Sequence, residues 1–206
     1  MLDIPFVKNP GGQCGQACMV MALKYYFPEK EFSIRQMSEL MKRRDGKWTF
    51  PYQNAVALDE FGLRVKSFSS VDVPVERQEM IKSFKKAFNK DYDEIIKNID
   101  LDICEYFIKI AKERKIFEVR RHSLDDIEKY VGAGYLVMVC VDLNILNGKE
   151  DVFSGHFVII TGIDDENIWL NEPNQGANIR YPRMLFESAY TALEIDNDIL
   201  VVFGKK

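Results

Sequence analysis

The sequence predicts an α+β domain, helical in its first half and built on a largely antiparallel sheet in its second. Three observations carry that expectation. Apolar residues recur at helical spacing between residues 14 and 61, and β-branched or alternating runs dominate from residue 116 onward. Composition, at 47% hydrophobic and 29% charged, supplies an ordinary core. At 206 residues the chain suits one domain over 1–206, with a helical insertion at 72–115.

Residues 3–8 read as extended, with Pro5 setting the backbone. Pro10, Gly11 and Gly12 then punctuate, and a helix runs from Cys14 to a stop near Phe27-Pro28. Ser33 and Gln36 make a capping box for a stripe of Ile34, Met37, Leu40 and Met41 reaching Arg44. Thr49 is placed to cap a third helix, with Pro51 in its first turn and Gly62 as its stop. Residues 63–68 alternate as a strand. Between 72 and 115 two lysine-rich amphipathic helices are expected, as a solvated hairpin over the core or as a lid that selects substrate. A short strand at 116–119 and a helix capped by Ser123 follow. Residues 135–141 read as a buried strand, 144–154 as a polar loop, and 156–163 with 167–171 as a hairpin. The Pro-, Gly- and Asn-rich stretch 173–182 reads as loop, then a helix to Tyr190 and a last strand at 199–203.

Net charge of −4 gives no basic footprint, so no nucleic-acid partner is expected. The N-terminus lacks the charged and apolar regions of a signal peptide. No apolar run nears the roughly 18 residues of a membrane span. Four cysteines without a signal point to reduced thiols and a cytoplasmic location. Cys14 and Cys18 have no matching His or Cys pair, so no metal site is expected, and nothing calls for a cofactor.

Chemistry concentrates at Cys14. A thiol on the first turn of a helix faces unpaired backbone N–H groups and the positive end of the dipole, both of which favour the nucleophilic thiolate. The plain alternative is that Cys14 and Cys18 are small apolar residues on a core helix face. Cys18, one turn on, has the weaker dipole and deeper burial. A base for Cys14 must be His122, which reads as a surface residue, or His156, which opens an apolar strand directly after Ser154-Gly155. The outer ends of a hairpin lie side by side, so Asn171 or Glu172 is placed to orient the His156 ring.

Gln13-Cys14-Gly15-Gln16-Ala17-Cys18-Met19-Val20-Met21 resembles the nucleophile motif of the bacteriocin-processing, C39-like peptidases, papain-like enzymes that cut after double-glycine leaders. Gly155-His156-Phe157-Val158-Ile159-Ile160-Thr161-Gly162 resembles that family's histidine strand, and Ile168-Trp169-Leu170-Asn171-Glu172-Pro173 its acidic corner. The resemblance covers the chain outside 72–115. It implies a papain-like fold whose nucleophile helix packs on the sheet, Cys14 as nucleophile, His156 as general base and acid, and Glu172 as the orienting carboxylate. It further implies a peptide or protein substrate, and any transporter partner would be a separate chain. Two positions depart from the pattern. Glu172 stands where the family has Asp, which keeps Asn171 as a rival orienter. Lys8 stands where the family has its oxyanion-hole Gln, which makes Asn9, with the Cys14 backbone N–H, the substitute donor.

The function expected is peptide-bond hydrolysis by a Cys-His-acid triad through a thioester acyl-enzyme. Two alternatives stand beside it: an acyltransferase that passes the same thioester to an amine, and a degenerate, non-catalytic peptide-binding domain, which Lys8 favours.

Overall fold

A computed structural model describes residues 1–89, 92–149, 153–192 and 197–206. The strands are β1 (Leu63–Ser69), β2 (Phe117–Val119), β3 (Leu136–Asp142), β4 (Gly155–Ile163), β5 (Asn167–Glu172), β6 (Gly176–Pro182) and β7 (Ile199–Lys205). They form one sheet in the order β2-β1-β7-β3-β4-β5-β6. Only the edge pair β1–β2 is parallel; the other neighbours run antiparallel. The architecture is the mixed α+β one expected.

The helices are α1 (Cys14–Tyr26), α2 (Ile34–Leu40), α3 (Pro51–Glu60), α4 (Arg77–Phe88), α5 (Tyr92–Ile95), α6 (Leu101–Glu113), α7 (Leu124–Gly132), α8 (Leu143–Leu146) and α9 (Arg183–Tyr190). Alternation along the strands sorts the core into two layers. Leu136 and Met138 of β3 pack with α1, α3, α4 and α6, whereas Val137, Val139 and Val141 face α7 and α9. Helix α1 is buried continuously from Gly15 to Leu23. A helix apolar all round has to be covered on every side, and α1 is, by α2, α3 and β4.

Several boundaries differ from expectation, each for a local reason. Helix α2 stops at Leu40 instead of near Arg44, because Lys42 turns left-handed (φ 52°) and the N–H groups of Lys42 and Arg43 bond back to Glu39 and Ser38. Thr49 does not cap α3. Phe50 stands at the cap, its N–H taken by the Gln53 side chain at 2.7 Å, with Pro51 in the first turn and Gly62 (φ 87°) beyond the end.

The 72–115 segment is helical and amphipathic, as expected, and holds more than a two-helix hairpin. It contains α4, α5, a 3-10 turn at Ile96–Asn98 and α6, and it buries Phe84, Phe107 and Ile108 in the same core as α1; residues 90 and 91 lie outside the described ones. The polar loop 144–154 begins instead with α8, which Asp142 caps through Asn144 N–H at 2.8 Å; residues 150–152 of that expectation also lie outside. The stretch read as loop at 173–182 holds β6, an edge strand on β5, where Pro182 removes no ladder bond that the sheet needs.

Candidate active site

The β4–β5 ladder begins at Ile159↔Asn171, so Gly155–Val158 have no β5 partner. The first turn of α1 fills that gap. Phe157 presents its peptide group to two cysteines one helical turn apart. Its carbonyl accepts the Cys18 S–H at 3.4 Å, and its backbone bonds the Cys14 sulfur. The Cys-x3-Cys spacing thus fits one strand peptide, with Cys18 as donor and Cys14 as acceptor.

His156, 3% exposed, sits beside Cys14 at the start of β4. Its Nε2 bonds Glu172 Oε1 at the end of β5, which leaves Nδ1 for the thiol. Burial works against charge on all three groups, yet each is shifted toward its charged form. Burial raises the Cys14 thiol, but the hydrogen bond and charge of His156, then the backbones of Phe157 and Gly15, bring it below its ordinary value. Burial lowers His156, but hydrogen bonds to Cys14 and Glu172 and their charges lift it to about 9. Glu172 is lowered against its own burial by His156 and by the backbones of Asn174 and Gln175. One such bond, Asn174 N–H to Glu172 Oε1, measures 2.9 Å. Cys18, fully buried, is pushed well above an ordinary thiol by burial and by the charges of Cys14 and Glu172.

Asn171 is turned elsewhere. Its Nδ2 donates to Ile4 C=O at 2.9 Å and its Oδ1 accepts Asn178 N–H at 3.0 Å, so it ties the N-terminal segment and β6 to β5. Asn9 lines the cleft with Cys14. Its Oδ1 accepts the N–H groups of Gly11 and Gln13, both at 3.0 Å, and its Nδ2 donates one hydrogen to Asn174 Oδ1 at 2.8 Å. Those three bonds fix which way the amide faces and leave its second N–H unassigned. Lys8 is exposed.

His122, read from sequence as a surface residue, is 1% exposed and packs against Phe68 of β1 and Tyr130. It does not approach Cys14.

The site also contains residues that the sequence did not single out. Trp48, Phe50, Phe88, Cys140 and Phe153 border a cavity of about 390 Å³ that opens on Cys14 and His156. The run Trp48-Thr49-Phe50-Pro51 was the available signal: aromatics just before a helix, where a core position is not required. Gly15 is needed for space. A Cβ there would lie 3.0 Å from Thr49 Oγ1 and 3.3 Å from Asn54 Nδ2.

Residues 9–196, from Asn9 past the end of α9, match the Peptidase_C39 like family. The chain belongs to that family. No curated protein matches it. Three solved structures share the fold of this C39-like chain. The first is a protein from Bacillus anthracis described as a C39-like peptidase, at 12% identity and TM-score 0.58 over 99% of this chain and 96% of that one. The second is the peptidase domain of Streptococcus ComA, a bi-functional ABC transporter of a quorum-sensing pathway, at 12% identity and TM-score 0.52 over 98% of each chain. The third is a double-glycine motif protease from an AMS/PCAT transporter in complex with its leader peptide, at 13% identity and TM-score 0.51 over 99% and 93%. Among the described residues no helix is long and apolar enough to cross a membrane.

Proposed function

We propose that the chain is a cysteine peptidase that hydrolyses peptide bonds, with Cys14 as nucleophile, His156 as general acid and base, and Glu172 as the carboxylate that orients the imidazolium. The observation that carries this reading is the trio at the open end of the β4–β5 hairpin: buried Glu172 bonded to His156 Nε2, and His156 beside a half-buried Cys14 that faces the cavity, with the thiol shifted down, the imidazole up and the carboxylate down. A buried ion pair has to be paired and hydrogen-bonded to persist, and these partners meet that requirement.

In this mechanism the Cys14 thiolate attacks the scissile carbonyl. Negative charge on the resulting oxyanion is met by the Cys14 N–H at the start of α1 and by the uncommitted N–H of Asn9, which replaces the donor missing at Lys8. His156 gives its proton to the leaving amine, and a thioester to Cys14 remains. His156 then takes a proton from water, which attacks the thioester and frees the acid. Peptide substrates are the class supported by the family and by the leader-peptide complex of the structural neighbour.

The test is alkylation with iodoacetamide across pH, followed by peptide mapping of the four cysteines. Cys14 is expected to react first and well below the range of a free thiol, about 8.5, and His156→Ala to abolish that lead. Equal labelling of all four, or preference for Cys18, rejects the assignment.

A further inference from the structure

The cavity beside Cys14 has a form that the triad alone does not require. Trp48, Phe50, Phe88 and Phe153 line it, and buried rings behind Phe50 and Phe88 brace that wall. The Phe50 ring stacks on Tyr52, at 5.4 Å between centroids and 9° between planes, and on Phe84 at 6.0 Å and 8°. Phe84 in turn meets Phe88 at 5.7 Å. Phe84 and Phe88 belong to α4, so the 72–115 segment builds and braces one side of the cavity. Phe153 closes the approach from the β4 side, its ring lying 3.1 Å from where a Cβ on Gly155 would stand. Of the charged groups at the cavity, Lys47 is committed to the Lys97 carbonyl at 2.5 Å, and Asp198 has its own partner within the protein.

A peptide with two glycines at the scissile bond brings no side chain to these walls and leaves apolar surface facing water, which is unfavourable in proportion to its area. A large apolar side chain fits the chemistry. Aromatic side chains bury about 150–250 Å² each, and Trp48, Phe50, Phe88 and Phe153 offer them an aromatic lining. We propose that this cavity receives one large apolar side chain, aromatic or branched aliphatic, from a substrate residue next to the scissile bond, so that cleavage is directed by that side chain and not by paired glycines. The proposal rests on the cysteine-peptidase reading of Cys14.

The experiment compares inactivation of the full chain by blocked dipeptidyl chloromethyl ketones: Phe-Gly, Gly-Phe, Gly-Gly and Lys-Gly, each scaled to iodoacetamide. At least one Phe reagent is expected to alkylate Cys14 about tenfold or more faster than Gly-Gly, since even one methylene in an apolar pocket discriminates by about tenfold or more. Phe88→Ala and Phe153→Ala should each cut that preference at least about threefold, each rate being scaled to the same variant's own iodoacetamide rate. Phe153 is only half-buried and lies in a loop, so its variant keeps the test valid if Phe88→Ala fails to fold. Equal or faster reaction of the Gly-Gly or Lys-Gly reagent, or a preference that survives in the folded variants, overturns the proposal. Iodoacetamide separates the two readings. Selective Cys14 labelling without a Phe preference rejects only the cavity's role; loss of that selectivity rejects the peptidase reading, and the cavity's role with it.

Discussion

His156 opens β4 and His122 packs on Phe68 of β1, with β7 and β3 between those strands; they are 3% and 1% exposed, and their surroundings shift them in opposite directions. His156 has a thiol on one side and a carboxylate on the other, and both hold its proton. His122 is lowered, first by burial and then by Arg120, against weaker pulls from Asp126 and Glu118. Its Nε2 lies 3.4 Å from the Tyr130 hydroxyl, and the Arg120 backbone gives the ring a further, weaker upward pull. Burial costs both rings their charge; two adjacent anions reverse that cost at one of them. The comparison teaches that a buried histidine is read from its partners and not from its depth.

The largest expected effect separates the two histidines directly. Cys14→Ala and His156→Ala are each expected to lower kcat/KM by about 10⁴-fold or more, and the double variant by little beyond that, because the groups act as a unit. His122→Phe, which keeps the ring contact with Phe68, should change turnover by less than about threefold on the same scale. Peptide hydrolysis rates on purified variants check this, and equal losses at both histidines would break the comparison.

The next effect concerns which group holds His156. Glu172→Gln keeps a hydrogen-bond acceptor but removes a charge, so turnover should fall about 10- to 100-fold, each tenfold corresponding to about one pKa unit of lost stabilisation. The titration of Cys14 should move back toward a free thiol. Asn171→Ala instead strands the buried Ile4 C=O, at about 1–3 kcal/mol, and releases the N–H of exposed Asn178 to water. Its cost should appear in the denaturation midpoint, with a smaller loss of turnover than in Glu172→Gln. The reverse ranking would return Asn171 to the orienting role.

Stability against pH sharpens the comparison further. The unfolded pKa of both histidines is about 6.5. His156 is raised when folded, so its contribution is fully present below 6.5 and is lost as pH rises through about 9. The lowered Cys14 thiol works in the opposite sense, its contribution present above the unfolded thiol's range and lost as pH falls through its folded value, so it offsets part of the His156 slope. His122 is lowered when folded, so its neutral ring supports the fold above about 6.5 and ceases to as pH falls below. Urea midpoints measured across pH should show a flatter acid limb in His122→Phe and a flatter alkaline limb in His156→Ala. Exchange of those two limbs would contradict the assigned shifts.

The smallest effect is steric. Gly15→Ala places a Cβ against Thr49 Oγ1 and Asn54. Overpacking of this kind costs about 1–3 kcal/mol, so a thermal melt should show a modest drop. The rate of Cys14 alkylation should fall with it, because the strained turn is the one that carries the thiol.

Much of this was legible in the chain because it was local. The turn before Cys14, the Ser33–Gln36 capping box and the β-branched runs of β3 and β4 are short-range patterns, and each became the element it signalled. The α4–α6 segment is legible as an amphipathic cover because its lysines record one exposed face and Phe84 and Ile108 the other, but periodicity does not say that the buried face shares a core with α1. The strand β6 was missed because edge strands tolerate the residues that mark loops. His122 was misplaced because Arg120 and Arg121 dominate its neighbourhood in sequence, whereas Phe68 and Tyr130 surround it in space.

By itself the sequence determined that a thiol starts a buried helix, that a histidine opens a core strand, and that a carboxylate ends the next one, because those are statements about residue order and period. Tertiary structure decided the rest: that the β4–β5 ladder opens at Ile159 to admit α1, that Phe157 serves both cysteines, and that aromatics from two distant segments wall one cavity. The physical reason is that ladder register, peptide orientation and ring stacking depend on how separate elements pack, and no local stretch of the chain encodes that packing.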